Sequence, residues 1–273
     1  MIVRVRLLFM TTLLALATSV HAADGALRAD LELLAAKRIY FAHQSVGANI
    51  LEGLGRLSRE AGVPVRIVQT PRAAELGAGT FGHFFVPENG EPLTKLGNFE
   101  AALGRGSKAD IALIKFCYVD FDASTDPSAL FARYQATIAE LRARNPHTVF
   151  VHVTAPLTTA QTGFKALAKR LLGRAPYGTI ENVRRAQYNE LLRHAYAGRE
   201  PFFDLARLES TAPDGSAVSV EWQGRIVPAM AGAYTDDGGH LNQTGETVAA
   251  RELIRVLAIA ARPVALAADA RRR

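Results

Sequence analysis

A histidine three residues after an aspartate, in Asp237-Gly238-Gly239-His240, stands directly before an apolar segment that reads as the last helix. That offset lets a carboxylate hold an imidazole by one ring nitrogen and leaves the other free to accept a proton. Such a pair is a general base in need of a nucleophile. Near the other end, Phe41-Ala42-His43-Gln44-Ser45-Val46-Gly47 offers a hydroxyl where an apolar run meets a turn. Ser, then Asp, then His is one of the chain orders of serine hydrolase triads. The expected roles are Ser45 as nucleophile, His240 as base and Asp237 as the carboxylate that orients it. Two alternatives stay open. Ser45 could cap a helix, and Asp236 could take the place of Asp237.

Oxyanion donors are expected from the Ser45 N–H and from Asn89 or Gly90, inside Val86-Pro87-Glu88-Asn89-Gly90-Glu91-Pro92. Asn-Gly is equally a turn dipeptide. Tyr118 and Asp120 leave the apolar run 110–121 towards the same edge and are pocket candidates; Asp120 could instead cap the next segment. His43 shares a strand face with Ser45, either lining the pocket or making a structural hydrogen bond. His43, His83 and His240 match no zinc spacing, so neither a metal nor an organic cofactor is expected. The single cysteine, Cys117, lies in an apolar run and reads as a buried, inert thiol.

Strand and helix signals alternate along the chain. Strands are expected at 37–45, 64–70, 110–121, 147–155 and 202–208. Between them Ile50, Leu54 and Leu57 recur at helical spacing, as do Leu130, Tyr134, Ile138 and Leu141 behind an Asp126-Pro127 start signal. Further helices are expected at 164–172, 180–196 and 249–261. Two stretches, 71–96 and 157–179, read as long loops after strand ends, where such sheets bind ligands. The pattern predicts an α/β domain with about five parallel strands and helices on both faces, over residues 23–263.

Residues 1–22 read as a secretory leader. Arg4 and Arg6 precede an apolar run shorter than a spanning helix requires. Export to the periplasm or the medium is the corresponding expectation, with no stable membrane insertion after cleavage. Residues 264–273 form a basic tail expected to be disordered. The net charge of +6 comes without a basic run interleaved with aromatics, so nucleic acid is not an expected partner. Attraction to anionic glycans or lipid head groups is compatible with this charge but does not follow from it.

Together these segments resemble the SGNH (GDSL-like) hydrolase superfamily. Asp237-Gly238-Gly239-His240 matches that family's last block. The first block, Gly-Asp-Ser in the family, stands here as His43-Gln44-Ser45, and Lys115-Phe116-Cys117-Tyr118-Val119-Asp120 lacks the Gly-x-Asn-Asp of the third. Asn89 or Gly90 stands where the second block's donor would be. The resemblance implies a three-layer flavodoxin-like fold and a serine esterase that hydrolyses or transfers an acyl group, with a small-molecule or glycan ester as substrate. The altered blocks imply an alternative, a binding module that keeps the fold and uses the same cleft.

Overall fold

The computed structural model describes residues 24–262. The leader and the basic tail expected at the two ends lie outside them. The strands are β1 (Ile39–His43), β2 (Arg66–Gln69), β3 (Thr80–Phe85), β4 (Ile111–Ile114), β5 (Val149–Val153) and β6 (Phe202–Phe203), side by side in the order β2-β3-β1-β4-β5-β6. Every neighbouring pair is parallel. Without the edge strand β2, the remaining five follow the 2-1-3-4-5 order of flavodoxin-like sheets. The helices are α1 (residues 24–35), α2 (Ser45–Glu60), α3 (Pro92–Leu103), α4 (Pro127–Arg144), α5 (Gly163–Leu171), α6 (Thr179–Tyr196), α7 (Leu205–Glu209) and α8 (Gln243–Ala261).

Side chains alternate across a strand, so β1 feeds two cores. Ile39 and Phe41 pack with α1, α2 and α8; Tyr40 and Ala42 pack with α3, α4 and α6. All four are buried, which is why the strand reads as one unbroken apolar run. The result is a three-layer α/β domain whose central sheet has six strands among the described residues.

Strand β3 lies in the stretch that reads as a loop. Its sequence, TFGHFF, is apolar but broken by Gly82, where a Cβ would collide with Leu76. The run 110–121 is not one strand. It stops after Ile114, and Tyr118–Asp120 forms a short 3-10 turn instead. Asp120 turns the chain by accepting the Cys117 N–H at 2.6 Å. The expected strand 202–208 is likewise cut short, because Asp204 accepts the Arg207 N–H at 3.2 Å and starts α7. A small antiparallel hairpin, β7 (Ser219–Trp222) and β8 (Arg225–Pro228), has no counterpart in the alternating pattern. Its two turn residues, Gln223 and Gly224, both take the left-handed backbone that tight hairpins require.

The chain leaves β1 towards β3 on one side and later returns to β4 on the other. That reversal falls at the carboxyl end of β1, the usual ligand position in such sheets. Ser45 follows β1 directly, Val86 to Gly90 follow β3, and Lys115 to Asp120 follow β4.

Candidate active site

Ser45 is the first residue of α2, and Gln44 is the N-cap residue. Ser45 is therefore not the capping serine; its hydroxyl meets His240 instead. Among the described residues, the Ser45 and Val46 N–H groups have no hydrogen-bond acceptor. They are orphan donors at the positive end of a 16-residue helix. Gln44 ties two loops together: its Nε2 donates to the Val86 carbonyl at 2.6 Å, while the Val86 N–H donates to the His43 carbonyl at 2.8 Å.

The Ser45 Oγ–H donates to His240 Nε2 at 2.9 Å across 195 residues of sequence. The His240 Nδ1–H donates to Asp237 Oδ2 at 2.6 Å. The other carboxylate oxygen, Oδ1, accepts the N–H of His240 at 2.8 Å and of Gly239 at 2.9 Å. The carboxyl is held well below the usual range, first by the His240 side chain and then by those two N–H groups. Asp236 faces elsewhere and accepts from the Asn242 side chain at 3.2 Å. Asn242 in turn caps α8 through the Thr244 and Gly245 N–H groups. The hydroxyl, the imidazole and the carboxylate thus form one line, with the imidazole side chain 40% exposed.

Tyr118 reaches this line. Its OH lies 3.4 Å from His240 Nε2, and its ring meets the imidazole edge to face. Burial first, then the neighbouring Cys117 and Asp237, push the phenol above its ordinary range, so it remains an O–H donor. A Cβ at Gly239 would press on the outer end of the Tyr118 ring. Arg185 fixes the backbone of Tyr118 with two bonds to its carbonyl, at 3.1 and 2.8 Å. Nothing in the sequence marks Arg185, which sits among other charged residues on α6.

The remaining candidates go elsewhere. His43 is fully buried and does not line an open pocket. A carbonyl can only accept, so the His43 Nδ1–H donates to Gln44 O at 2.7 Å and Nε2 accepts from His83 at 3.0 Å. Burial pushes His43 down to about 3, so it stays neutral. The first turn of α2 crosses directly over its ring, which leaves no room for a Cβ at Gly47. Asn89, Gly90 and Asp120 meet one another rather than Ser45. Asp120 is buried against Lys95 at 2.7 Å and accepts the Gly90 N–H at 2.9 Å; Lys95 also donates to Asn89 Oδ1 at 2.8 Å. The Gly90 N–H, an expected oxyanion donor, is thus engaged by Asp120, and the Asn89 side-chain oxygen by Lys95. Cys117 is buried, as its neighbours imply.

Asn49, one turn after Ser45, is a positioning residue the sequence does not announce. It accepts the Leu241 N–H at 3.3 Å and so joins the helix that carries Ser45 to the His240 loop. Beneath the site, Glu209 is buried and accepts the Leu157 N–H. Burial pushes its carboxyl up from 4.5 to about 8, against that bond and the charges of Lys115 and Arg185. The folded protein therefore keeps a proton that the unfolded chain has lost above pH 4.5. Stability from this group falls as pH rises from 4.5 to about 8. The Glu209→Gln variant should gain on the wild type across that window, measured as the difference in melting midpoint. A difference that stays constant with pH would show that Glu209 does not titrate there.

No family model matches the chain, and no curated protein does. Several solved structures have a similar chain course. A GDSL-like lipase from Bacteroides thetaiotaomicron is 12% identical, over 82% of this chain and 87% of its own, with a TM-score of 0.46. Phospholipase A1 from Streptomyces albidoflavus is 12% identical, over 81% and 98%, with a TM-score of 0.42. The periplasmic domain of a lipopolysaccharide acetyltransferase from Salmonella ser. Paratyphi A is 11% identical, over 82% and 84%, with a TM-score of 0.41. At these levels the likeness is one of chain course, and the chemistry rests on the site's own geometry.

Proposed function

We propose that this protein is an exported serine esterase of the SGNH type, which hydrolyses or transfers the acyl group of an ester, with acylated glycans as a fitting substrate class. The observation that carries the proposal is the 2.9 Å contact between Ser45 Oγ and His240 Nε2, backed by Asp237 at 2.6 Å. Asp237 holds the proton on Nδ1, so Nε2 is left as an acceptor. Ser45 Oγ attacks the ester carbonyl while His240 takes its proton. His240 then gives that proton to the departing alcohol. Water, or an acceptor hydroxyl, attacks the acyl-enzyme with His240 again as base, and the proton returns to Ser45.

Negative charge on the carbonyl oxygen needs donors near Ser45. The free N–H groups at the start of α2 supply part of that need. Tyr118 stands in the loop where the resembled family carries its third-block Asn, and its hydroxyl is the further donor in this reading. Tyr118→Phe should lower kcat by about 10²–10³-fold, the usual cost of one oxyanion donor. The melting midpoint should barely move, since the hydroxyl bonds only His240 among the described residues. An unchanged kcat would remove Tyr118 from the chemistry.

The test of the whole reading is labelling by a fluorophosphonate, with p-nitrophenyl acetate or butyrate as substrate. The expected result is one modified serine, Ser45, together with ester turnover. A folded protein that neither labels nor turns over ester would be the binding module of the alternative reading.

A further inference from the structure

Helix α5 is turned inside out. Phe164, Leu167 and Leu171 fall on one face at helical spacing, the pattern that normally marks the side facing the core. Here that face looks into solvent. Together with Leu172 and Tyr177, these side chains are between 51% and 84% exposed, while Ala166 is the buried residue of the helix. The cations are placed to match. At 100° per residue, Lys165 and Arg170 lie on opposite flanks of the apolar face. The segment 158–180 also carries Lys169 and Arg174 and contains no acidic residue.

The segment is tied down rather than loose. The Thr159 N–H donates to the Gly238 carbonyl at 2.9 Å, and the Gln161 N–H to the Tyr177 carbonyl at 3.0 Å. Asn182 on α6 clasps Thr158, donating to its carbonyl at 2.8 Å and accepting its N–H at 3.1 Å. Gly178 takes the left-handed backbone where a Cβ would strike the Thr159 carbonyl. The patch is thereby anchored to the loop that bears Asp237 and His240.

A cluster of exposed large apolar side chains marks a surface that meets another phase or molecule. This one is a protruding helix, flanked by cations on both sides. We propose that α5 is the element by which the protein docks on an anionic lipid bilayer surface. Phe164, Leu167 and Leu171 enter the boundary between head groups and acyl chains, and Lys165 and Arg170 meet the phosphates. Among the described residues no helix is long and apolar enough to cross a membrane, and the contact proposed is one with the surface. This inference does not depend on the esterase reading; it concerns where the protein sits.

Co-sedimentation of the full chain with vesicles tests it. Mixed phosphatidylglycerol/phosphatidylcholine vesicles should bind the wild type, pure phosphatidylcholine should bind it weakly, and added salt should release it. Two double variants separate the contributions, Phe164→Ser with Leu171→Ser and Lys165→Glu with Arg170→Glu. Each should weaken binding to the anionic vesicles by about tenfold or more. All four positions are on the exposed faces of α5, and an unchanged melting midpoint would show that the fold is intact. Equal partition of the wild type and both variants would overturn the proposal, because the binding would then come from elsewhere in the chain. So would a wild type that ignores anionic vesicles but forms a dimer abolished by the Phe164/Leu171 changes. In that case the face is covered by a second copy.

Discussion

Asp237→Asn should leave a folded protein that has lost about 10⁴-fold in kcat. The change moves a proton from one ring nitrogen to the other. Asp237 Oδ1 accepts two backbone N–H groups, and an asparagine oxygen can keep both. The other carboxylate oxygen becomes an NH₂ facing His240 Nδ1. Two donors cannot face each other, so the imidazole must put its proton on Nε2. From there it can no longer accept from Ser45, and the 2.9 Å contact becomes one between a ring N–H and the hydroxyl oxygen. The loop should survive, because its backbone bonds do. A loss of turnover with an unchanged melting midpoint is the expected signature. If Asp237→Asn retained most of its kcat, the carboxylate would be a loop staple and not part of the chemistry.

Ser45→Ala should have the larger effect, about 10⁴–10⁶-fold in kcat, with fluorophosphonate labelling abolished. Residues acting as one unit are not additive. The Ser45→Ala/His240→Ala double variant should therefore be scarcely worse than either single change. Steady-state kinetics on the four proteins decide the matter. Losses that multiply would mean that Ser45 and His240 act separately, and the proton-passing line would have to be abandoned.

The line of Ser45, His240 and Asp237 is legible in the sequence because its members come from short segments with their own local logic. Asp237 reaches His240 within one loop, and Ser45 stands at a strand-to-helix junction. Residues that bridge distant segments are not legible. Asn49 joins α2 to the His240 loop, and Arg185 holds Tyr118 from a helix that reads as ordinary surface. The partner of Gly90 is hidden for the same reason: Asp120 is 30 residues away, where it also meets the buried Lys95. The layers follow from hydrophobic period alone. Strand β3 does not, because Gly82 interrupts its pattern to make room for Leu76. In α5 the period is readable, but which face it presents to the core is not.

Helix α8 packs with α2 in one core, and the two ends of the described chain meet there. Synthesis delivers the segment of Ser45 195 residues before that of His240. A ribosome that has released residues 24–230 has delivered Ser45 without the imidazole it meets in the fold. On the proposed reading, a product truncated upstream of Asp237 carries Ser45 without its base, and the Ser45–His240 contact forms only once α8 docks against α2.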